Sequence, residues 1–291
     1  MKVTKGQKAF NIFNCFLMLL IVCATLYPFL YVIAMSFSGE GAIISGKVSL
    51  WPVDFNLRAY HLVFTQSDFW IGYKNTLLYT VIGTLIGVAM MVICAYPLSK
   101  RFLPGRNFFM KMITITMFFS GGIIPNYLLI GALGMRDTIW SLVLPGAISV
   151  WNMTIMRTFF EGIPETLEEA AAIDGLNPIQ CLIRIVLPLS KPILATVSLF
   201  TVVYYWNSWF QPLIYMNSNT KYPVTIFLRN IINGAQVAAT NPNITAEELL
   251  NQPTESLKSA AIMLVALPIL CVYPFVQKYF VQGMMIGSVK G

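Results

Sequence analysis

Six stretches of this chain, residues 11–36, 75–98, 108–132, 139–160, 190–216 and 257–281, are each apolar over a length that crosses a bilayer. A hydrocarbon core about 30 Å thick needs about 20 apolar residues per helix. Continuous runs of this length, rather than strand-like alternation, point to helices that satisfy their own backbone groups in lipid. The chain is 57% hydrophobic and only 11% charged, with mean hydropathy +0.69. Ordinary soluble domains carry about 25% charged residues. The expectation is an all-α membrane protein, one domain over residues 1–291, with six transmembrane helices.

The first stretch imitates a signal peptide, with Lys2, Lys5 and Lys8 before an apolar run and Val22-Cys23 resembling a lipoprotein cleavage site. Val22 is not small, and the run continues to Met35, beyond the roughly 7–15 residues of a signal core. It reads as a retained span. In the third stretch Gly121, Gly122 and Pro125 predict a bend or break. With the N-terminus inside, twelve basic residues, among them Lys100, Arg101, Arg106, Arg157 and Lys290, fall on the cytoplasmic side. The other seven, among them Lys74 and Lys221, fall outside, although the outer loops are longer. The positive-inside rule then places both termini in the cytoplasm. Seven acids, including Asp137, Glu247 and Glu248, balance the outer bases. The net charge of +7 is therefore topological and implies no nucleic-acid partner.

All twelve acidic residues lie in loops or at span ends. Proton-coupled carriers use titratable groups within their spans, so this class is disfavoured, and a secondary carrier of a small neutral solute stays as the weaker alternative. Gly41 to Lys47 fits the first part of a phosphate loop, but Val48 stands where Ser or Thr should reach magnesium. The match is a coincidence in an outer loop. No nucleophile, acid–base pair or metal cluster marks an enzyme. The five cysteines have no paired spacing and read as small hydrophobes, and His61 stands alone. Power for active transport must then come from a partner.

Between spans four and five the chain reads EGIPETLEEAAAIDGLNPIQCLIRIVLPLSKP, from Glu161 to Pro192. Pro164 suits a helix first turn, and Glu165, Glu168 and Glu169 favour its positive end. Gly175 supplies a stop, and Asn177-Pro178 opens a second short helix. Leu167, Ala170, Ala171 and Asp174 fall at i, i+3, i+4, i+7 and share one face. These signals alone fit a capped connector as well as a docking helix. The spacing decides: Glu169-Ala170-Ala171, three residues, Gly175, nine residues, Ile185, one residue, Leu187-Pro188 resembles the EAA motif of permease subunits in binding-protein-dependent ATP-binding-cassette (ABC) importers.

The resemblance covers nearly the whole chain. Ile173-Asp174-Gly175, Pro192, Trp206-Asn207 and Pro212-Leu213-Ile214 resemble the second, maltose-type subunit of the carbohydrate branch. Ser120-Gly121-Gly122-Ile123-Ile124-Pro125 is similar to permeases for polysaccharide-derived oligosaccharides. It implies the type I importer (MetI-like) core in a bacterial cytoplasmic membrane, and a sugar, or alternatively a non-sugar solute, as cargo. It also implies a second permease subunit, two ATPase subunits that bind ATP and magnesium, and an extracytoplasmic solute-binding protein. No cofactor is implied for this chain. The EAA loop, residues 161–189, would be a coupling helix docking into the ATPase, with Glu165, Leu167, Glu168, Glu169, Ala170, Ala171, Asp174 and Gly175 at or beside the interface.

A sugar path needs hydrogen-bonding groups and aromatic faces. Span five offers Tyr204, Tyr205, Trp206, Asn207, Ser208, Trp209, Phe210 and Gln211. An interfacial aromatic belt with bundle packing explains the same cluster. Asn207 is the leading candidate, followed by Trp206, Tyr205, Trp209, Gln211, Asn126 and Asn152. Gly83-x-x-x-Gly87 reads as a close helix approach, within this chain or against a partner. Arg157 is expected to snorkel to the cytoplasmic surface, with a contact to the coupling loop left open.

Overall fold

The computed structural model describes residues 4–240 and 254–288, so Lys2, Glu247, Glu248 and Lys290 of the charge argument lie outside the described residues. Every regular element among the described residues is helical. The chain divides into two compact units, residues 1–69 with 228–267, and residues 70–227 with 268–291.

In the first unit, α1 (Lys5–Ser36) starts at a capping box: Thr4 Oγ1 accepts from Gln7 N–H at 3.3 Å, and the Gln7 side chain accepts from Thr4 N–H at 2.9 Å. At 1.5 Å per residue its 32 residues span about 48 Å, longer than a bilayer core. Its apolar side chains from Phe10 to Leu30 are exposed, and only the last turn, Ala34 to Ser36, is buried. There Ala34 and Met35 pack with Ala42 of α2 (Glu40–Ile44) and with Val48. The α3 helix (Arg58–Thr65) follows.

The α4 helix (Ser67–Ser99) begins eight residues before the expected span, because Lys74 and Asn75 lower hydropathy without opposing a helix. In the second unit its inner half joins the main core. Met91, Val92, Ala95, Tyr96 and Leu98 pack with residues from α8 (Val150–Glu161), α9 (Glu165–Ile173) and α12 (Lys191–Trp206).

The break expected in the third stretch is present: α5 (Arg106–Phe118) and α6 (Ile123–Ala132) meet at 113°. Gly122 has φ 86° and ψ 175°, a backbone conformation that essentially only glycine adopts. Pro125 sits in the first turn of α6, where its missing N–H costs nothing. The stretch 139–160 is not one helix. It splits into α7 (Trp140–Val143) and α8, because Pro145 cannot donate and Ser149 caps a new start, accepting from Asn152 N–H at 3.4 Å. The stretch 190–216 divides likewise into α12 and α13 (Phe210–Tyr215) at Asn207 to Trp209.

Between α9 and α12 lie α10 (Pro178–Cys181), a π-turn over Leu182–Val186 and α11 (Leu187–Leu189). The wider turn precedes Pro188, whose ring would clash with the Arg184 carbonyl in an α-helix. The segment 178–189 then bends 83° into α12. Helices α14 (Val224–Thr240) and α15 (Glu255–Ser288) are the last among the described residues. Among the described residues, three helices are singly long and apolar enough to cross a membrane, and up to five spans count when each bent pair is taken as one. The sixth expected stretch, 139–160, is divided at Pro145 and is not among these five.

Candidate functional site

The loop from Glu161 to Pro192 builds a docked helix with an outward side. Pro164 is extended, with ψ 128°, and stands just ahead of the helix, so Glu165 opens α9, with Glu165 and Glu168 in its first turn. At the other end Gly175 adopts φ +81°. Gly175 N–H donates to Ala172 O at 3.1 Å and Leu176 N–H to Ala171 O at 2.9 Å, the Schellman pattern. Leu176 then packs against the core cluster that includes Ala171. Asn177 restarts the helix through a capping box with Gln180.

The stripe Leu167, Ala170, Ala171 and Asp174 does not face one environment. Ala171 is buried in the bundle core with Val186, Met156 and Ala95, while Leu167, Ala170 and Asp174 stay exposed with Glu165, Glu169 and Gly175. The helix is rolled so that its Glu168–Ala171 edge meets the bundle. A methyl group at 171 permits the close approach, and Glu168 is paired with Lys100. What remains outside is a mixed surface that includes Ile173, 87% exposed.

Ion pairs hold this loop to the end of α4 and its following turn. Besides Lys100–Glu168, Arg101 Nε lies 3.9 Å from Glu165 at the surface. Glu161 accepts from Arg106 Nη2 and, at 2.5 Å, from Arg157 Nη2. Both arginines also donate through Nε to Leu98 O, at 3.0 and 2.9 Å. Arg157 is thus held by Glu161 and the end of α4. Its i, i+4 spacing to Glu161 was the available signal. Lys100 and Arg106, distant in sequence from their partners, carried none.

The span-five residues part company. Tyr205 and Trp206 are buried: Tyr205 Oη donates to Val143 O at 3.2 Å, and Trp206 meets Tyr73 edge-on at 5.7 Å between ring centres. Asn152 is also buried. Asn207 ends α12 exposed, its Nδ2 donating back to Val203 O at 2.9 Å, and Trp209 is exposed and edge-on to Phe210. Asn126 and Gln211 come together. They line one open recess of about 190 Å³ with Ser120, Gly122, Ile123, Phe210, Ile214 and Tyr215. Gln211 is oriented by Ser208 Oγ at 3.0 Å and Tyr204 Oη at 3.4 Å. The recess walls are the Gly122 break and α13, and the lining carries no charged side chain.

Residues 9–286 match the family described as the binding-protein-dependent transport system inner membrane component. The chain belongs to this family. It is a multi-pass inner-membrane transport subunit and not an enzyme. Protein LplC of Bacillus subtilis (strain 168) is 40% identical to this permease over 288 residues, 99% of this chain and 97% of LplC. The polygalacturonan/rhamnogalacturonan transport system permease protein YtcP of the same organism is 38% identical over 283 residues, 96% of this chain and 97% of YtcP. Among solved structures, a chain of a bacterial ABC transporter involved in the import of the acidic polysaccharide alginate superposes with TM-score 0.85 at 34% identity, covering 96% of this permease and 99% of that chain. A second, from a bacterial alginate ABC transporter in complex with alginate pentasaccharide-bound periplasmic protein, shares the fold at TM-score 0.61 and 15% identity.

Proposed function

We propose that this permease forms, with a second permease subunit, the membrane path of an ABC importer for a polysaccharide-derived oligosaccharide. Two ATPase subunits bind ATP and magnesium and dock on the outward side of α9, and a solute-binding protein delivers the sugar from outside. With the divided stretch 139–160 taken as a sixth crossing, both termini lie in the cytoplasm, as the distribution of basic residues favours, and this chain needs no cofactor of its own. The carrying observation is the posture of α9, whose Ala171 edge is part of the bundle core while Leu167, Ala170 and Ile173 stay open. A partner pressing on that side pushes on the spans directly.

The cargo reading is supported by the recess, which offers amides at Asn126 and Gln211 and rings at Phe210 and Tyr215. Sugars present hydroxyl edges to amides and C–H faces to rings. The proposed path also takes in Asn207 and Trp209, exposed at the break between α12 and α13 just ahead of Phe210 and Gln211. Tyr205, Trp206 and Asn152 are buried and belong to the packing of the bundle rather than to this lining. The names of YtcP and of the alginate transporter agree with a polysaccharide fragment.

The test is reconstitution of the chain with its second permease, ATPase and binding-protein partners in proteoliposomes. Oligosaccharide-stimulated ATP hydrolysis and uptake are expected. Glu169→Lys or Ala170→Arg should abolish co-purification of the ATPase without unfolding this chain. Undiminished stimulated hydrolysis in both variants would show that α9 is not the docking element.

A further inference from the structure

The end of α4 is tied to the coupling loop more extensively than a chain connection requires. A helix leaves its last four carbonyls without partners, and here the Ser99 hydroxyl donates to Tyr96 O at 2.7 Å and Lys100 N–H donates to Pro97 O at 3.1 Å. Leu98 O receives both Arg106 and Arg157, the two guanidiniums that also hold Glu161 just ahead of α9. Two residues on, Lys100 pairs with Glu168 of α9 while its ammonium lies 4.5 Å from the centre of the Tyr96 ring. The Lys100 and Glu168 side chains are only 14% and 19% exposed. An ion pair so shielded resists the salt screening that makes surface pairs weak.

The other half of α4 reaches the span-five residues. Gly83 lies under the Tyr205 ring, and Gly87 approaches Ala147 O and Thr201. At 1.5 Å per residue, Gly83 stands about 24 Å along α4 from its last residue, Ser99, which Lys100 directly follows.

We infer that Lys100 is a positioning residue for energy coupling: its pair with Glu168 makes α4 a second route, beside the covalent links to α8 and α12, by which movement of α9 reaches the spans. This rests on the reading of α9 as the ATPase-docking helix. In that arrangement α9 and the end of α4 move as one body, and α4 carries the displacement to Gly83 and Tyr205. Without the pair, the ATPase still docks on α9 but its stroke is incompletely delivered.

The experiment measures ATP hydrolysed per oligosaccharide accumulated, in proteoliposomes holding the full complex. Lys100→Met and Glu168→Gln should each leave the ATPase co-purifying and raise that ratio about 5-fold or more, the lower range of site-to-site coupling. The double variant should be no worse than either single one. The reversed pair, Lys100→Glu with Glu168→Lys, should restore most of the wild-type ratio. If Lys100→Met prevents assembly, the reversed pair decides by itself: a restored ratio supports the inference and an unrestored one overturns it. An unchanged ratio in Lys100→Met, with Glu169→Lys still abolishing docking, overturns the α4 route alone. An unchanged complex in both variants overturns it together with the docking reading.

Discussion

The ring of Tyr205 rests on Gly83 so closely that a Cβ there would stand 2.6 Å from two ring atoms. Such a distance requires movement, and the ring is fixed by its hydrogen bond to Val143 O and by the adjacent Tyr204 ring. Gly83→Ala is therefore expected to overpack α4 against α12, at a cost of about 1–3 kcal/mol. The measurement is thermal unfolding of the purified complex in detergent. Combining Gly83→Ala with Tyr205→Leu should give less than the sum of the single losses, since the smaller side chain makes room for the methyl group. Additive losses would mean that the two residues do not share this contact.

Gly175 sets the end of α9 by conformation alone. A Cβ there meets nothing within 4 Å, yet φ is +81°. Gly175→Ala should thus cost about 1–2 kcal/mol from left-handed backbone strain, with no steric component. Gly175→Asn should cost less and Gly175→Val more, a ranking that melting temperatures check. If the turn also orients the docking side, stimulated ATP hydrolysis should fall in the same order.

How far this arrangement was legible in the sequence depends on the range of each signal. The caps of α9 and α10 rest on residues within four positions of one another, and Gly175, Asn177 and Pro178 announce them. The Gly122 break is legible for the same reason. Hydropathy averages over Pro145 and Ser149, so 139–160 read as one span although one proline and one cap divide it. The helical stripe 167, 170, 171, 174 was correctly spaced but wrongly rolled. The inward edge is held by core packing at Ala171 and by Lys100, 68 residues from Glu168, and no local pattern reports such partners. The recess was half visible: Asn126 and Gln211 stood out as amides in apolar stretches, but only the 113° turn of α5 into α6 accompanies the wall that unites them.

Asp137 offers a pH test in the loops at the ends of α6 and α13. Its backbone is left-handed, with φ 56°. Its carboxylate takes Lys221 Nζ at 2.6 Å, Asn217 N–H at 3.0 Å and Ser218 N–H at 3.3 Å. The Lys221 hydrogen bond first, then the backbone N–H groups, hold its pKa below the ordinary 3.8. A carboxyl lowered by folding stabilises fully above its ordinary value, and the benefit is lost as pH falls through the depressed one. Asp137→Asn removes the charge and keeps a side chain that tolerates left-handed backbone. The wild type should melt above the variant at pH 7, and the gap should narrow below about pH 4. A gap that does not change with pH would assign the effect to hydrogen-bond shape rather than charge.

The recess separates two roles that burial alone confuses. Asn126 and Gln211 line open space and lie at helix breaks, so replacing either amide with leucine should leave the fold intact. A buried amide that holds the bundle would instead cost about 1–3 kcal/mol when lost. Asn126→Leu and Gln211→Leu are therefore expected to lower oligosaccharide uptake several-fold, with melting temperatures close to wild type. Trp206→Ala, which removes a buried ring, should lower both, at about 3–5 kcal/mol of stability. Because the two amides line one recess, their uptake losses should be non-additive. Ser208→Ala should reproduce part of the Gln211 defect, since that hydroxyl fixes the amide from 3.0 Å. Uptake by the amide variants that equals wild type at limiting sugar would remove this recess from the path.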